Sequence, residues 1–361
     1  MLFVTGEDAD PLWESFSRCL AHRLREAHAL DCYWVRLGTR AADTTEPTDD
    51  LTLSDHASAR ELAHLIRRLR VQVVHALGER AVHACQRARW LVYPAPALLS
   101  FPSPLAAQSR SWQRWLDRAL RTSGQRYIAA DFEARQALLE SGIAPKLTTV
   151  IPLSTHSRSP TTRNAAREAL RVEPLGFVMM ASFEEADDAD SQWIVLEILA
   201  EMIHRGVPTL LVAGTESPTV SLQVLQRAEV LDVASAVHCT SLFPGTHAAV
   251  AGADVVLLAK QQRVSAWLAL TALEAGVAVV KSPTVRLPAL VAQSPSATEL
   301  LHPLARDDLH SWIDTMEDFR PRPTRRTMHH PAASPWLPPL EDVAREYVQL
   351  YRQLYRQPRR R

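Results

Sequence analysis

The sequence predicts an α/β protein made of two doubly wound parallel sheets. Three observations carry that expectation. Short β-rich apolar runs alternate with stretches of helical period from the first residues, a Ser/Thr/Pro-rich stretch from Thr155 to Asn164 interrupts them, and the alternation resumes beyond it. Such alternation builds parallel sheets, because a parallel connection has to cross back over the sheet face, usually as a helix. A chain of 361 residues accommodates two domains at roughly 100–200 residues each.

Leu2-Phe3-Val4 predicts the first strand and Leu12 to Arg25 the first helix. Cys32-Tyr33-Trp34-Val35 and Val71-Gln72-Val73-Val74 read as strands on either side of a helix over Ala57 to Leu69. Trp90-Leu91-Val92-Tyr93, aromatic and β-branched, predicts the next strand, with a helix from Ser109 to Arg121 behind it. Tyr127-Ile128-Ala129-Ala130, a helix from Phe132 to Glu140 and the run Leu147 to Pro152 complete the first unit.

The second unit reads as strands at Gly176 to Met180, Thr209 to Val212, Ala236 to His238, Asp254 to Leu258 and Val277 to Val280. Helices are expected over Gln192 to His204, Ser221 to Ala228 and Trp267 to Ala275. Phe319 to Pro339 is too rich in Pro and Arg to hold a helix. Beyond it, Leu340 to Tyr355 has Val343, Tyr347, Leu350 and Leu354 on one stripe, and the Tyr347, Tyr351, Tyr355 series is expected to dock this last helix on the first domain.

Composition removes several function classes. Forty Lys+Arg balance forty Asp+Glu, so no global field draws in nucleic acid, although Arg359-Arg360-Arg361 is locally basic. Cys19, Cys32, Cys85 and Cys239 lack any C-x-x-C spacing, which argues against a zinc site or a disulfide framework and fits a reducing compartment. The first residues do not read as a signal peptide, and no apolar run approaches the ~18 residues of a membrane span. Eleven glycines are too few and too scattered to write either glycine-rich phosphate loop, whose backbone N–H groups must approach phosphate without a Cβ in the way. H-E-x-x-H and G-x-S-x-G are absent as well.

Several segments, in order, resemble family-4 glycosyltransferases of the GT-B fold. Val73-Val74-His75-Ala76-Leu77-Gly78 is similar to that family's strand ending in His, and Tyr127 to Asp131 with Ser141 to Lys146 and Thr149 to Pro152 resembles a second family passage. Leu210 to Gly214, Ala251 to Leu258, and Thr271-Ala272-Leu273-Glu274-Ala275-Gly276-Val277-Ala278-Val279-Val280 resemble three segments of its second domain, the last being "EAmacGvPVV". The likeness implies two Rossmann-like domains, residues 1–157 on the acceptor side and 165–318 on the nucleotide-sugar side. A connection over 319–339 and a crossover helix over 340–356 would follow.

What the resemblance implies about the site is altered in this chain. The donor's leaving diphosphate gathers negative charge and needs cations or N–H donors. The family's Arg and Lys positions are here Ser182 and Asp187, inside Ala181-Ser182-Phe183-Glu184-Glu185-Ala186-Asp187-Asp188. That loop would repel a diphosphate if it faced the cleft; the other reading is a solvated acidic loop at a helix N-terminus. The family's two Glu positions fall on Arg263 and Thr271, and Glu274 reads as an exposed helical carboxylate. Arg263 with Lys260 and Lys281 would form a replacement cationic site, or be solvated charge.

On the acceptor side the candidates are Gly6, in a turn with Glu7, Asp8 and Asp10, and His75, expected at a strand end facing the cleft or else structural. Trp112, Trp115 and Trp267 read as sugar-stacking platforms or as core, and His329-His330 as a weak metal candidate.

Two functions follow as expectations. One is a nucleotide-sugar-dependent glycosyltransferase of glycan or exopolysaccharide synthesis. It would use a UDP- or GDP-sugar and no further cofactor or metal, act on a glycan or lipid-linked acceptor, and retain anomeric configuration. The other is a non-catalytic relative that scaffolds or regulates protein partners of a glycan pathway. No nucleic-acid partner and no transmembrane segment are expected, and the location is cytoplasmic with peripheral membrane contact left open.

Overall fold

The computed structural model describes the chain apart from residues 7–8, 10, 38–49, 54–58, 102–124, 131, 155–161, 173–175, 185–188, 216, 242–248, 263, 288–290, 292–295, 320–336 and 357–361. The expected helix over 109–121, most of the Ser/Thr/Pro and Pro/Arg stretches, Trp112, Trp115, His329-His330 and the terminal arginines lie outside the described residues. Two compact units are present: Met1–Ser154 together with Pro338–Arg361, and Thr155–Leu337.

The first unit runs β1 (Leu2–Gly6), α1 (Pro11–His28), β2 (Tyr33–Leu37), β3 (Asp50–Leu53), α2 (Ala59–Arg68), β4 (Val73–Leu77), α3 (Glu79–Trp90), β5 (Ala97–Phe101), β6 (Gln125–Ala129), α4 (Phe132–Glu140) and β7 (Thr148–Val150). Its strands form a seven-stranded sheet in the order β3-β2-β1-β4-β5-β6-β7, parallel throughout. β1 and β4 are buried at every position, as strands covered on both faces must be. The strand expected over Trp90–Tyr93 is instead the last residue of α3 and a turn. Strand β5 starts only at Ala97, after Pro94 and Pro96, which have no N–H to give a ladder.

The second unit runs α5 (Arg163–Ala169), β8 (Phe177–Phe183), α6 (Ala189–His204), β9 (Thr209–Thr215), α7 (Pro218–Val230), β10 (Val237–Ser241), β11 (Val255–Leu258), α8 (Ser265–Glu274), β12 (Ala278–Lys281), α9 (Ala297–Leu300), β13 (Leu301–Pro303) and α10 (Leu309–Phe319). The sheet order is β10-β9-β8-β11-β12-β13, again parallel. Helix α7 starts where Ser217 accepts the Val220 N–H at 3.3 Å, with Pro218 in the first turn.

A buried carboxylate fastens the start of this unit. Asp254, just before β11, accepts the Val178 N–H at 2.8 Å and pairs with Arg167 at 3.1 Å and with Arg163, both on α5. Both arginines also reach main-chain carbonyls, Arg163 that of Ala253 and Arg167 that of Gly252 at 3.2 Å. Space at Gly252 is tight, because a Cβ on it would stand 3.1 Å from the Ala166 Cβ.

The last helix, α11 (Leu340–Arg356), returns to the first unit, as the sequence predicts, and packs on α1. Arg23 pairs with Glu341 at 3.0 Å, and the Phe16 and Tyr347 rings lie 6.3 Å apart. Tyr347 and Tyr351 are buried as the four-residue series predicts; nothing is described of the Tyr355 side chain.

Candidate ligand site in the second unit

In an open parallel sheet, connections that leave in opposite directions from two neighbouring strands open a crevice at their carboxyl ends, where such folds take ligands. In the second unit those strands are β8 and β11. Their neighbours on the outer sides are β9 and β12. A pocket lies at that place, lined by Ser182 and Phe183 from the end of β8, Leu258 at the end of β11, Ala259 and Lys260 after it, Gln262, and Ser265 at the start of α8. It is a narrow crevice open to solvent, far smaller than the ~300–1,000 Å³ of sites that enclose a whole small-molecule ligand.

The polar groups of the pocket are mostly neutral and held to one another. Ser182 Oγ donates to Gln262 Oε1 at 2.7 Å, and the Gln262 N–H donates to Ser265 Oγ at 2.9 Å. These bonds fold the segment after β11 over the strand ends. Helix α8 begins at Val264, whose side chain has no oxygen to cap it. Glu184, one residue beyond β8, takes that role, with Oε1 accepting the Val264 N–H at 2.5 Å. A carboxylate at a helix N-terminus meets the positive end of the macrodipole, worth about 0.3–1 kcal/mol, and up to ~2 when partly buried.

Glu184 corrects one reading of the acidic turn. It is not solvated: its residue is 8% exposed, and the N-terminus it serves is that of α8, not that of the helix following the turn. This contact joins residues 80 positions apart, so no local pattern announced it.

Of the donor-side candidates, Ser182 and Lys260 line the pocket together, Ser182 buried and Lys260 exposed at the rim. Thr271 is not brought to the pocket: it is buried in α8, and its hydroxyl donates to the Trp267 carbonyl at 2.9 Å, one turn back. Asp187 and Arg263 lie outside the described residues. Lys281 Nζ is taken up by the Val285 carbonyl at 2.8 Å. Glu274, expected exposed, has both carboxylate oxygens enclosed. Trp267 is core, 4% exposed.

In the first unit the equivalent strand pair is β1 and β4. Gly6 closes β1, buried, and its carbonyl accepts the Ala9 N–H at 3.0 Å. His75 does not occupy the strand-end, cleft-facing position expected of it. It sits mid-strand in β4, fully buried, with its ring 4.4 Å from that of Phe3 and 5.7 Å from that of Tyr347. Its Nε2 shares a hydrogen bond of 2.7 Å with the Tyr351 hydroxyl. Burial, with a smaller contribution from the positive N-terminus, holds its pKa down at about 3, so the imidazole is neutral. This geometry makes His75 the polar pin between the sheet and α11.

Among the described residues, no group of three or more His, Cys, Asp or Glu side chains is placed to hold a metal ion. All four cysteines are unpaired as thiols; burial raises the pKa of Cys19 to about 12. Among the same residues no helix is long and apolar enough to cross a membrane.

No protein-family model matches the chain, and no curated protein matches it either. Solved structures do. A sucrose-phosphate synthase from Thermosynechococcus elongatus superposes over 98% of this chain and 99% of its own at 14% identity, with a TM-score of 0.53. A candidate UDP-N-acetylglucosamine 2-epimerase from Listeria monocytogenes does so over 99% and 97% at 12% identity, with a TM-score of 0.50. At such identities the likeness is one of fold. It extends over the whole chain, and with two parallel Rossmann-like sheets and a final helix returned to the first unit, the chain has a GT-B-like α/β fold.

Proposed function

We propose that this chain is a glycosyltransferase-like protein that takes a nucleotide sugar at the β8–β11 pocket, for transfer to a glycan or lipid-linked acceptor. The observation that carries the reading is the position of that pocket, at the crevice of the second sheet where doubly wound folds place ligands, lined by the hydroxyl and amide side chains of Ser182, Gln262 and Ser265. Ser182, Gln262 and Ser265 are the groups that would orient the ligand. Lys260 at the rim would supply charge that meets a leaving diphosphate, and Arg263, three positions on in the sequence, is the second candidate. Whole-chain similarity to proteins whose names include a sucrose-phosphate synthase and a UDP-N-acetylglucosamine epimerase supports the same class of ligand.

The test is calorimetric titration of the folded protein with UDP, GDP and their sugars, with and without magnesium. Saturable binding in the micromolar to sub-millimolar range, lost in Lys260→Ala or Arg263→Ala, is the expected result. No heat with any of them overturns the reading.

A specific observation favours a second reading, a non-catalytic relative acting through protein partners. The Glu184 carboxylate already stands at the N-terminus of α8, the place where backbone N–H groups would otherwise meet a phosphate. Under this reading no diphosphate enters, and Glu184→Gln leaves nucleotide binding absent.

A further inference from the structure

The amino ends of the first sheet carry a surface that the ligand pocket does not use. Helices α2 and α3 both end there, one before β4 and the other before β5, on the edge opposite the strands' carboxyl ends. Arg68 and Arg70 stand exposed at the end of α2, and Arg87 in the last turn of α3. Directly after them come Trp90, 71% exposed, Leu91, 43%, and Tyr93, 82%. Between Leu62 and Phe101 the only acidic residue is Glu79, at the far end of α3.

Single exposed apolar side chains are ordinary, but three large ones within four residues form a patch. The backbone holds them outward. Arg67 donates to the Leu91 carbonyl, Arg89 Nε donates to the Pro96 carbonyl at 2.7 Å, and the Val92 N–H bonds the Arg89 carbonyl at 3.2 Å. Val92 is thereby tucked in, 9% exposed, while its neighbours on both sides point to solvent. Arginines at helix C-termini are explained by the macrodipole alone; an adjoining aromatic cluster fixed outward is not.

We propose that this edge docks on an anionic lipid surface, with Trp90, Leu91 and Tyr93 entering the headgroup layer and Arg68, Arg70 and Arg87 meeting lipid phosphates. Trp and Tyr suit that layer because each has an apolar body and a polar tip, and the long arginine stems reach charge without burying it. Three exposed arginines on a segment whose one carboxylate, Glu79, stands at the far end of α3 complement an anionic leaflet. The inference is independent of what the β8–β11 pocket binds.

The test is co-sedimentation of the full chain with vesicles of phosphatidylcholine alone and of phosphatidylcholine mixed with phosphatidylglycerol. Binding to the anionic vesicles only, weakened by salt, is expected. It should fall by about tenfold or more in Trp90→Ser/Tyr93→Ser, and likewise in Arg68→Gln/Arg87→Gln. These side chains are exposed and the clamps at Arg67 and Arg89 are kept, and circular dichroism checks that both variants are folded. Absence of binding to anionic vesicles, or binding untouched by both variants, overturns the proposal. So does retention of the wild type on immobilised polyglutamate without vesicle binding, which would assign the surface to an acidic protein.

Discussion

The interior of the first unit places a neutral imidazole among aromatic rings, whereas the second places charged carboxylates at both edges of its sheet. His75 is fully buried mid-strand and meets Tyr351. Asp254 enters at the amino edge of the second sheet against two arginines, and Glu184 at the carboxyl edge against a helix N-terminus. The strand order around all three is the same doubly wound pattern, so topology does not decide their roles. Position along the strand does: mid-strand polarity has only packed side chains to answer it, while strand-end polarity reaches main-chain N–H groups, loops and a crevice.

Removing Asp254 should break the contrast most severely. Asp254→Ala leaves two largely buried guanidinium groups without their carboxylate counter-charge and the Val178 N–H without its acceptor, a loss of about 3–5 kcal/mol, measurable as a lower urea midpoint. Asp254→Asn, which keeps one acceptor oxygen, should lose less. Gly252→Val attacks the same corner sterically, forcing α5 away from a Cβ contact of 3.1 Å, at about 1–3 kcal/mol.

The first unit should respond to pH instead. The folded pKa of His75 lies below its unfolded value, so below the unfolded pKa the unfolded chain binds a proton that the folded chain refuses. Its contribution is complete above about pH 6.5 and is lost progressively as pH falls towards the folded value of about 3. Urea midpoints of the wild type should therefore decline more steeply across that window than those of His75→Gln. Tyr351→Phe, which removes one buried hydrogen bond, should cost about 1 kcal/mol.

The smallest stability effect is expected at Glu184. Glu184→Gln keeps an acceptor for the Val264 N–H and removes the charge–dipole attraction, about 0.3–1 kcal/mol. A thermal melt should scarcely move, and a loss as large as that of Asp254→Ala would show that the two carboxylates are not distinguished by position.

Much of this architecture is legible in the sequence, because parallel strands buried on both faces read as unbroken apolar runs: β1, β2, β4, β6, β8, β9 and β11 all coincide with such runs. β3 is four residues of mixed polarity and gives no such signal. α3 hides because its buried face includes Gln86 and Arg89, so the aromatic residues that end it resemble a strand. The pocket is partly legible: Ser182, at a position the resemblance supplies, and Lys260, read as a replacement cation, both line it, while Glu184 and Val264 are 80 positions apart and His75 and Tyr351 are 276 apart. Those pairings are made by tertiary packing, and no spacing rule reaches them.

The measurement that bears most directly on the ligand pocket is hydrogen–deuterium exchange of the full chain with and without UDP. The account predicts slowed exchange in peptides covering Ala181–Glu184 and Leu257–Ser265, where the ends of β8 and β11 meet α8. Unchanged exchange in those peptides, or protection confined to other parts of the chain, would contradict it.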